Sequence, residues 1–230
     1  MRSERTFENE SAVKTLSREK ARRVYNRLGT LLDSQSFYEN RALDLIIQNG
    51  QFASARNMFE FGCGTGRFGL RLLSEHLPSD AVYRAVDLSP TMVRLAEDRL
   101  AVFSSRAKVS LSDGSPPAQE PSEFYDRFVS TYVLDLLSDQ DIALVLREAH
   151  RMLEPGGLLC LSSLSTGSGF ASRMVARLWT AVHKLGPSLV GGCRPIELAG
   201  VLSSSEWRLR YHAHVAPFAI PSEVVVADRL

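Results

Sequence analysis

Seven consecutive residues, Glu60-Phe61-Gly62-Cys63-Gly64-Thr65-Gly66, concentrate the groups in this chain that could do chemistry. An apolar run from Met58 to Phe61 carries one carboxylate, Glu60, and then breaks on three glycines at alternate positions. That order reads as a buried strand, a loop with no room for side chains, and a helix beginning at about Arg67. Glycine lets a ligand touch the backbone and allows positive φ in the turn. The helix that follows points unpaired N–H groups and a partial positive charge at the loop. A ligand with an anionic end is therefore expected there.

Two kinds of protein use this strand–glycine–helix device. A dinucleotide site wants G-x-G-x-x-G, and here the third glycine position is Arg67. The alternative, an acidic residue followed by x-G-x-G-x-G, is met at every position from Glu60 to Gly66. Asp87 lies about 20 residues past the loop, the distance at which a carboxylate reaches ribose hydroxyls; it could also simply favour the start of the next helix. Asp113, in Ser-Asp-Gly, could accept from an adenine amino group or close a plain turn.

The elements that position these residues alternate strictly. Strands are expected at 58–61, 81–86, 108–111, 127–132 and 158–164. Helices are expected at 67–77, from Ser89-Pro90 through Leu100, and from Ser138 to Leu153, with Glu-Pro-Gly-Gly as the turn into the fifth strand. Strand–helix alternation implies a parallel sheet covered on both faces. Ahead of it come a polar arm up to about Leu16 and two helices. The first starts near Ser17 and carries Val24, Leu28, Leu31 and Leu32. The second has a capping box, Ser36-x-x-Glu39, and ends at Gly50. After the fifth strand, 165–194 holds a long helix over 170–185. A short helix then follows Pro195, and two strands near 207–215 and 223–227 form a closing pair. The expected organisation is an arm with lid helices (1–55) and one compact domain (56–230) with an inserted cap (165–194).

The segments F-E-F-G-C-G-T-G, A-V-D-L-S-P-T-M-V, L-S-D-G, F-V-S-T-Y-V-L-D-L-L and R-M-L-E-P-G-G-L-L-C-L together resemble the class I S-adenosylmethionine (SAM) methyltransferases. The likeness is to the group with small-molecule and quinone-biosynthesis enzymes, and it covers about Arg56 to Leu164. It implies an α/β, Rossmann-like, doubly wound seven-stranded sheet whose last strand is antiparallel, with SAM as co-substrate. It also implies roles by position. Gly62, Cys63 and Gly64 line the amino-acid end of SAM in a loop completed by Thr65 and Gly66, and Glu60 supports that loop. Asp87 holds the ribose, with Leu88 and Met92 beside the adenine and Asp113 and Gly114 at its edge. Thr131 and Tyr132 border cofactor and acceptor, and Tyr25 resembles a lid tyrosine. Tyr132 and Asp135 are candidates, by location, for a general base.

Composition narrows the partner. A net charge of +1 gives no reason to expect nucleic acid. Strand four ends in Ser-Thr-Tyr-Val, without the motifs of enzymes that methylate bases. His183, His212 and His214 show no metal-ligand spacing, and no metal is expected. Three cysteines, Cys63, Cys160 and Cys193, read as small reduced residues of a cytoplasmic protein, with no secretory leader and no membrane-spanning run. A small, partly apolar acceptor is expected. Helix 170–185, with Arg173, Arg177 and Lys184 along one edge, could also touch a membrane surface weakly. An NAD-dependent oxidoreductase and a SAM-binding protein without turnover are the alternative functions.

Overall fold

The computed structural model describes residues 15–29, 33–34 and 36–230; segment 1–14 and the expected helical residues Leu31 and Leu32 lie outside them. Seven strands form one sheet: β1 (Asn57–Phe61), β2 (Val82–Asp87), β3 (Ala107–Leu111), β4 (Tyr125–Thr131), β5 (Leu153–Leu164), β6 (Trp207–Val215) and β7 (Ser222–Arg229). Their order is β3-β2-β1-β4-β5-β7-β6, and β7 is antiparallel to both of its neighbours. The expected doubly wound sheet with an antiparallel closing strand is thus present. The chain runs outward from β1 to β3, then returns to lay β4 on the other flank of β1. The carboxyl ends of β1 and β4 therefore diverge at a switch point, where such sheets leave a crevice.

Helices α1 (Arg18–Leu28), α2 (Ser36–Asn49), α3 (Arg67–Glu75), α4 (Pro90–Leu100), α5 (Asp139–Met152) and α6 (Phe170–Leu185) surround the sheet. Met58, Val129, Cys160, Val224 and Val226 face a core shared with Ala42 and Ile46 of α2, Leu72 of α3 and Ala96 of α4. Phe59, Phe128, Leu159 and Val225 face the other core, with Ile142, Val145 and Met152 of α5. Alternate residues of each strand feed alternate cores, as the pleat requires. Burial of a side chain such as Phe59 or Ile46 stabilises the fold by roughly 1.5–3 kcal/mol. The helix starts follow their caps: Ser17, Ser89 and Ser138 each accept a backbone N–H through Oγ, and Pro90 opens α4.

Three local expectations change. Ser36 is itself the first residue of α2, so no capping box forms there; the Glu39 carboxylate accepts from the Arg67 guanidinium of α3 instead. The Glu-Pro-Gly-Gly segment is not a turn before β5 but a bulge inside it. Leu153 pairs with Tyr125 and Leu158 with Arg127, so β5 advances further than β4. The stretch after Pro195 makes only a single 3-10 turn, Ala199–Val201.

Close approach of α3 to the sheet depends on a missing side chain. A Cβ on Gly69 would lie 2.4 Å from the Tyr83 hydroxyl, which donates to Glu60 Oε2 at 2.6 Å. The packing role that a dinucleotide fingerprint gives to a glycine at position 67 is filled two residues later.

Candidate functional site

A cleft opens at the carboxyl ends of β1, β2 and β4, and the glycine loop forms its floor. The loop bends at once after β1, because Gly62 N–H and Cys63 N–H both donate to the Val86 carbonyl, at 2.9 and 3.1 Å. Gly62 has φ +80°, and a Cβ there would lie 2.3 Å from Val133 Cγ2, so no other residue fits. Gly64 N–H donates to Asp87 Oδ2 at 2.9 Å, and Ser89 N–H donates to Asp87 Oδ1 at 2.8 Å. One carboxylate therefore ties the loop to the end of β2 and the start of α4. Burial holds the Asp87 carboxyl above its usual range, against these hydrogen bonds. Burial likewise pushes Glu60 up to about 7, and the bond from Tyr83 only partly offsets it.

Most of the predicted site residues meet in this cleft: Tyr25, Glu60, Gly62, Cys63, Gly64, Thr65, Asp87, Leu88, Gly114, Thr131 and Tyr132 all line it. Four do not. Gly66 sits at the start of α3, where a Cβ would lie 2.9 Å from Ala96 Cβ, so it serves helix packing. Met92 is fully buried behind the wall. Asp113 is exposed and off the cleft wall; its Oδ1 accepts from Ser115 N–H at 2.7 Å, while its neighbours Ser112 and Gly114 line the cleft. Asp135 is fully buried and off the cleft wall. Its Oδ2 accepts from Leu164 N–H at 3.3 Å and its carbonyl accepts from Arg194 N–H at 2.9 Å, so it braces two chain segments. Burial pushes its carboxyl up to about 7.

Tyr132, the residue after β4, has φ +55°, a left-handed conformation uncommon for a tyrosine. Its hydroxyl donates to Ser222 Oγ of β7 at 2.9 Å, and its ring meets Tyr38 of α2 edge-on at 5.8 Å. Helix α1 crosses the mouth. Arg18 donates to Ser115 at 2.8 Å, Asn26 accepts from Ser89 Oγ at 2.6 Å, and the Tyr25 hydroxyl donates to the Gly191 carbonyl at 3.4 Å.

Similarity to known proteins agrees with this geometry. A family profile described as a methyltransferase domain matches residues 58–157, from β1 into the bulge of β5. A malonyl-[acyl-carrier protein] O-methyltransferase of Dechloromonas aromatica is 29% identical over 149 residues, 64% of this chain and 52% of that protein. A ubiquinone biosynthesis O-methyltransferase of Xanthomonas oryzae pv. oryzae is 29% identical over 175 residues, 73% of this chain and 68% of that one. Over residues 58–157 the chain matches the methyltransferase domain, and with this fold it resembles the class I SAM methyltransferases. Their methyl donor is SAM. The match spans about half the length of the first of these relatives. Among solved structures, a [4+2]-cyclase, SpnF, superposes with a TM-score of 0.72 at 15% identity, over 95% of this chain and 99% of that one. An O-methyltransferase family protein from Burkholderia thailandensis gives 0.68 at 16% identity, over 92% and 60%. The class I fold thus extends over nearly the whole chain, and the cyclase is a reminder that a fold alone does not choose a reaction.

Several cleft residues escaped sequence reasoning. Tyr38 and Glu39 come from α2, before the first strand, and Cys193 from the turn after α6. Thr65 donates to Asp33 at 2.6 Å and accepts from Arg99 at 2.7 Å, an arrangement no local pattern announces. Glu39 is the most consequential. Burial pushes its carboxyl up to about 7, although the neighbouring Arg67 pulls the other way. The available signal was spacing: Glu39 and Leu43 lie one helical turn apart, on one stripe of α2.

Glu39, Glu60 and Asp135 thus each bind a proton more tightly in the folded chain than in the unfolded one. Between about pH 4.5 and about pH 7 the folded state holds more protons, so its stability falls as pH rises. His183, whose ring pKa is lowered by burial, works in the opposite sense. Urea unfolding of the ligand-free protein should show a lower midpoint at about pH 8 than at about pH 5. Glu60→Gln, which keeps the Tyr83 partner, should shrink that difference; an unaltered difference would contradict the assignment.

Proposed function

We propose that the protein transfers the methyl group of SAM to a small, partly apolar acceptor held between α2 and the end of β4. The observation that carries this reading is the junction of Gly64 with Asp87, which sets a side-chain-free loop beside an acidic strand end in one cleft. SAM supplies an activated methyl group on a sulfonium centre. The residues fit such a ligand: Gly62, Cys63 and Gly64 line its amino-acid end, and Glu60 stiffens the loop from below. Asp87 accepts from the ribose hydroxyls, using lone pairs left over from its two backbone bonds. Leu88 and Gly114 flank the base, while Thr65, with Asp33 and Arg99, closes the polar end. Alignment at near-attack distance and exclusion of water are then the main tasks. Tyr25 on α1 and Cys193 from the turn after α6 meet at the cleft, where the Tyr25 hydroxyl also reaches the Gly191 carbonyl.

Titration calorimetry with SAM and with NAD tests this. Wild type should bind SAM and not NAD. Gly64→Val should abolish SAM binding with the fold kept, and Asp87→Ala should weaken it about tenfold or more. Unchanged affinity in Gly64→Val, or binding of NAD alone, would refute the reading.

For the acceptor, Leu43, Tyr38, Tyr132 and Val133 provide apolar surface, and Glu39 is the carboxylate among them. The named relatives are O-methyltransferases, which makes oxygen the first acceptor atom to try. We assign Glu39 the role of proton acceptor where the acceptor carries a proton, in place of Tyr132 or Asp135. A base must be ionised, so with its carboxyl at about 7 the rate should rise with pH through that value. With an acceptor found by release of the demethylated cofactor across a metabolite panel, Glu39→Gln should lose this limb and about a hundredfold in rate at pH ~8. A retained limb would assign the base elsewhere.

A weak membrane contact through α6 is the second part of the reading. Phe170, Met174, Leu178 and Leu185 are exposed, α6 contains no acidic residue, and Arg173, Arg177 and Lys184 line one shallow groove. An apolar stripe flanked by cations suits an anionic lipid surface. Among the described residues, no helix is long and apolar enough to cross a membrane. Three free thiols support a cytoplasmic location. Binding to anionic vesicles should drop in Arg173→Glu plus Arg177→Glu; equal binding by both proteins would exclude the contact.

A further inference from the structure

At the edge of the sheet, β6 and β7 bring three potential metal ligands together. His212 and His214 are two apart on β6 and share one face, and Glu223 of β7 sits directly opposite His214 in the antiparallel register. One ligand atom from each residue lies within 4.8 Å of the other two, and the two imidazole rings are 5.1 Å apart. His212 Nε2 is 2.8 Å from Glu223 Oε1.

Glu223 is fully buried, yet no arginine or lysine among the described residues pairs with it. Its Oε2 accepts from Leu198 N–H at 2.7 Å and its Oε1 from Ala199 N–H at 3.0 Å. A carboxylate has about four lone-pair sites, so these two bonds fix its orientation and leave acceptor capacity facing the histidines. That is how the carboxylate of a metal site is held: ligands are oriented by hydrogen bonds behind them. His212 is partly open to solvent on its other side. Two ligands of a tetrahedral ion at about 2.0–2.1 Å stand some 3.3 Å apart, a small opening from the present contact.

We propose that His212, His214 and Glu223 form a site for a borderline divalent transition metal, zinc above all. Two imidazoles and one carboxylate suit Zn²⁺ or Co²⁺ rather than Mg²⁺ or Ca²⁺, and three protein ligands leave the fourth position to solvent. The ion takes the place of the proton between His212 Nε2 and Glu223 Oε1. It staples the edge strand β6 to β7, with Glu223 on the sheet face opposite its neighbour Ser222; none of the three ligands lines the cleft, so the site stands independently of the proposed methyl transfer.

The test uses untagged, chelator-treated full-length protein titrated with Zn²⁺ by calorimetry and with Co²⁺ by visible absorption. Wild type should take up one equivalent, give the absorption of a low-symmetry cobalt site, and melt at a higher temperature with Zn²⁺ than with chelator. His214→Ala is the deciding variant, because it leaves the His212–Glu223 pair intact while removing one ligand. It should lose about tenfold or more in affinity and most of the zinc-dependent melting shift, with SAM affinity unchanged. Wild-type binding equal to that of His214→Ala, or to the background of the double variant His212→Ala plus His214→Ala, would overturn the site. The pair would then be only an ion-pair anchor for the 198–199 backbone.

Discussion

The carboxylate of Asp87 accepts from Gly64 N–H and from Ser89 N–H, and the cleft is assembled around that junction. Either bond alone would be ordinary. Together they set the glycine loop, the end of β2 and the first turn of α4 in one fixed relation, through charge-assisted bonds stronger than neutral ones. Ser89 carries the relation outward, since its hydroxyl caps α4 and also donates to Asn26 of α1. The crevice that a doubly wound sheet leaves at its switch point thereby becomes a shaped site.

Carboxylates crowd the same region. Glu39 and Glu60 line the cleft, Asp135 stands behind it, and burial raises all three. Holding buried acids costs stability in the free protein unless they are protonated or paired. SAM, as proposed, carries positive charge at its sulfonium and ammonium groups, and such a ligand would favour the ionised form of the acids nearest to it. Recognition of the co-substrate and the titration of the cleft are then one electrostatic problem.

How much could be read from the chain alone follows from how local each feature is. The glycine loop, the Ser89-Pro90 cap and the apolar strands act through neighbours in sequence, so the order of elements and the sheet were legible. Asp113 lies off the cleft wall, its Oδ1 accepting from Ser115 N–H within its own turn, a placement that the Ser-Asp-Gly segment alone left open. Glu-Pro-Gly-Gly looked like a turn, and only pairing with β4 makes it a bulge. Tyr38, Glu39 and Cys193 were not legible as site residues, since α2 and the turn after α6 reach the cleft only once the sheet has formed. The same holds for Glu223, whose place opposite His214 depends on strand register.

The contacts of α1 differ in kind from those beneath it. Among its described residues none is fully buried, and it is held by Arg18 with Ser115 and Asp141, by Asn26 with Ser89, and by the long Tyr25–Gly191 bond. The partly exposed Arg18–Asp141 ion pair contributes at most about 1 kcal/mol, and each hydrogen bond roughly 0.5–1.5 kcal/mol. The helix is thus tied down mainly by polar contacts, whereas β1 and β2 beneath it are packed in buried cores, and elements with few buried apolar contacts are those that open first. Between the mouth and the floor of one cleft, cohesion thus changes from surface hydrogen bonds to close-packed side chains.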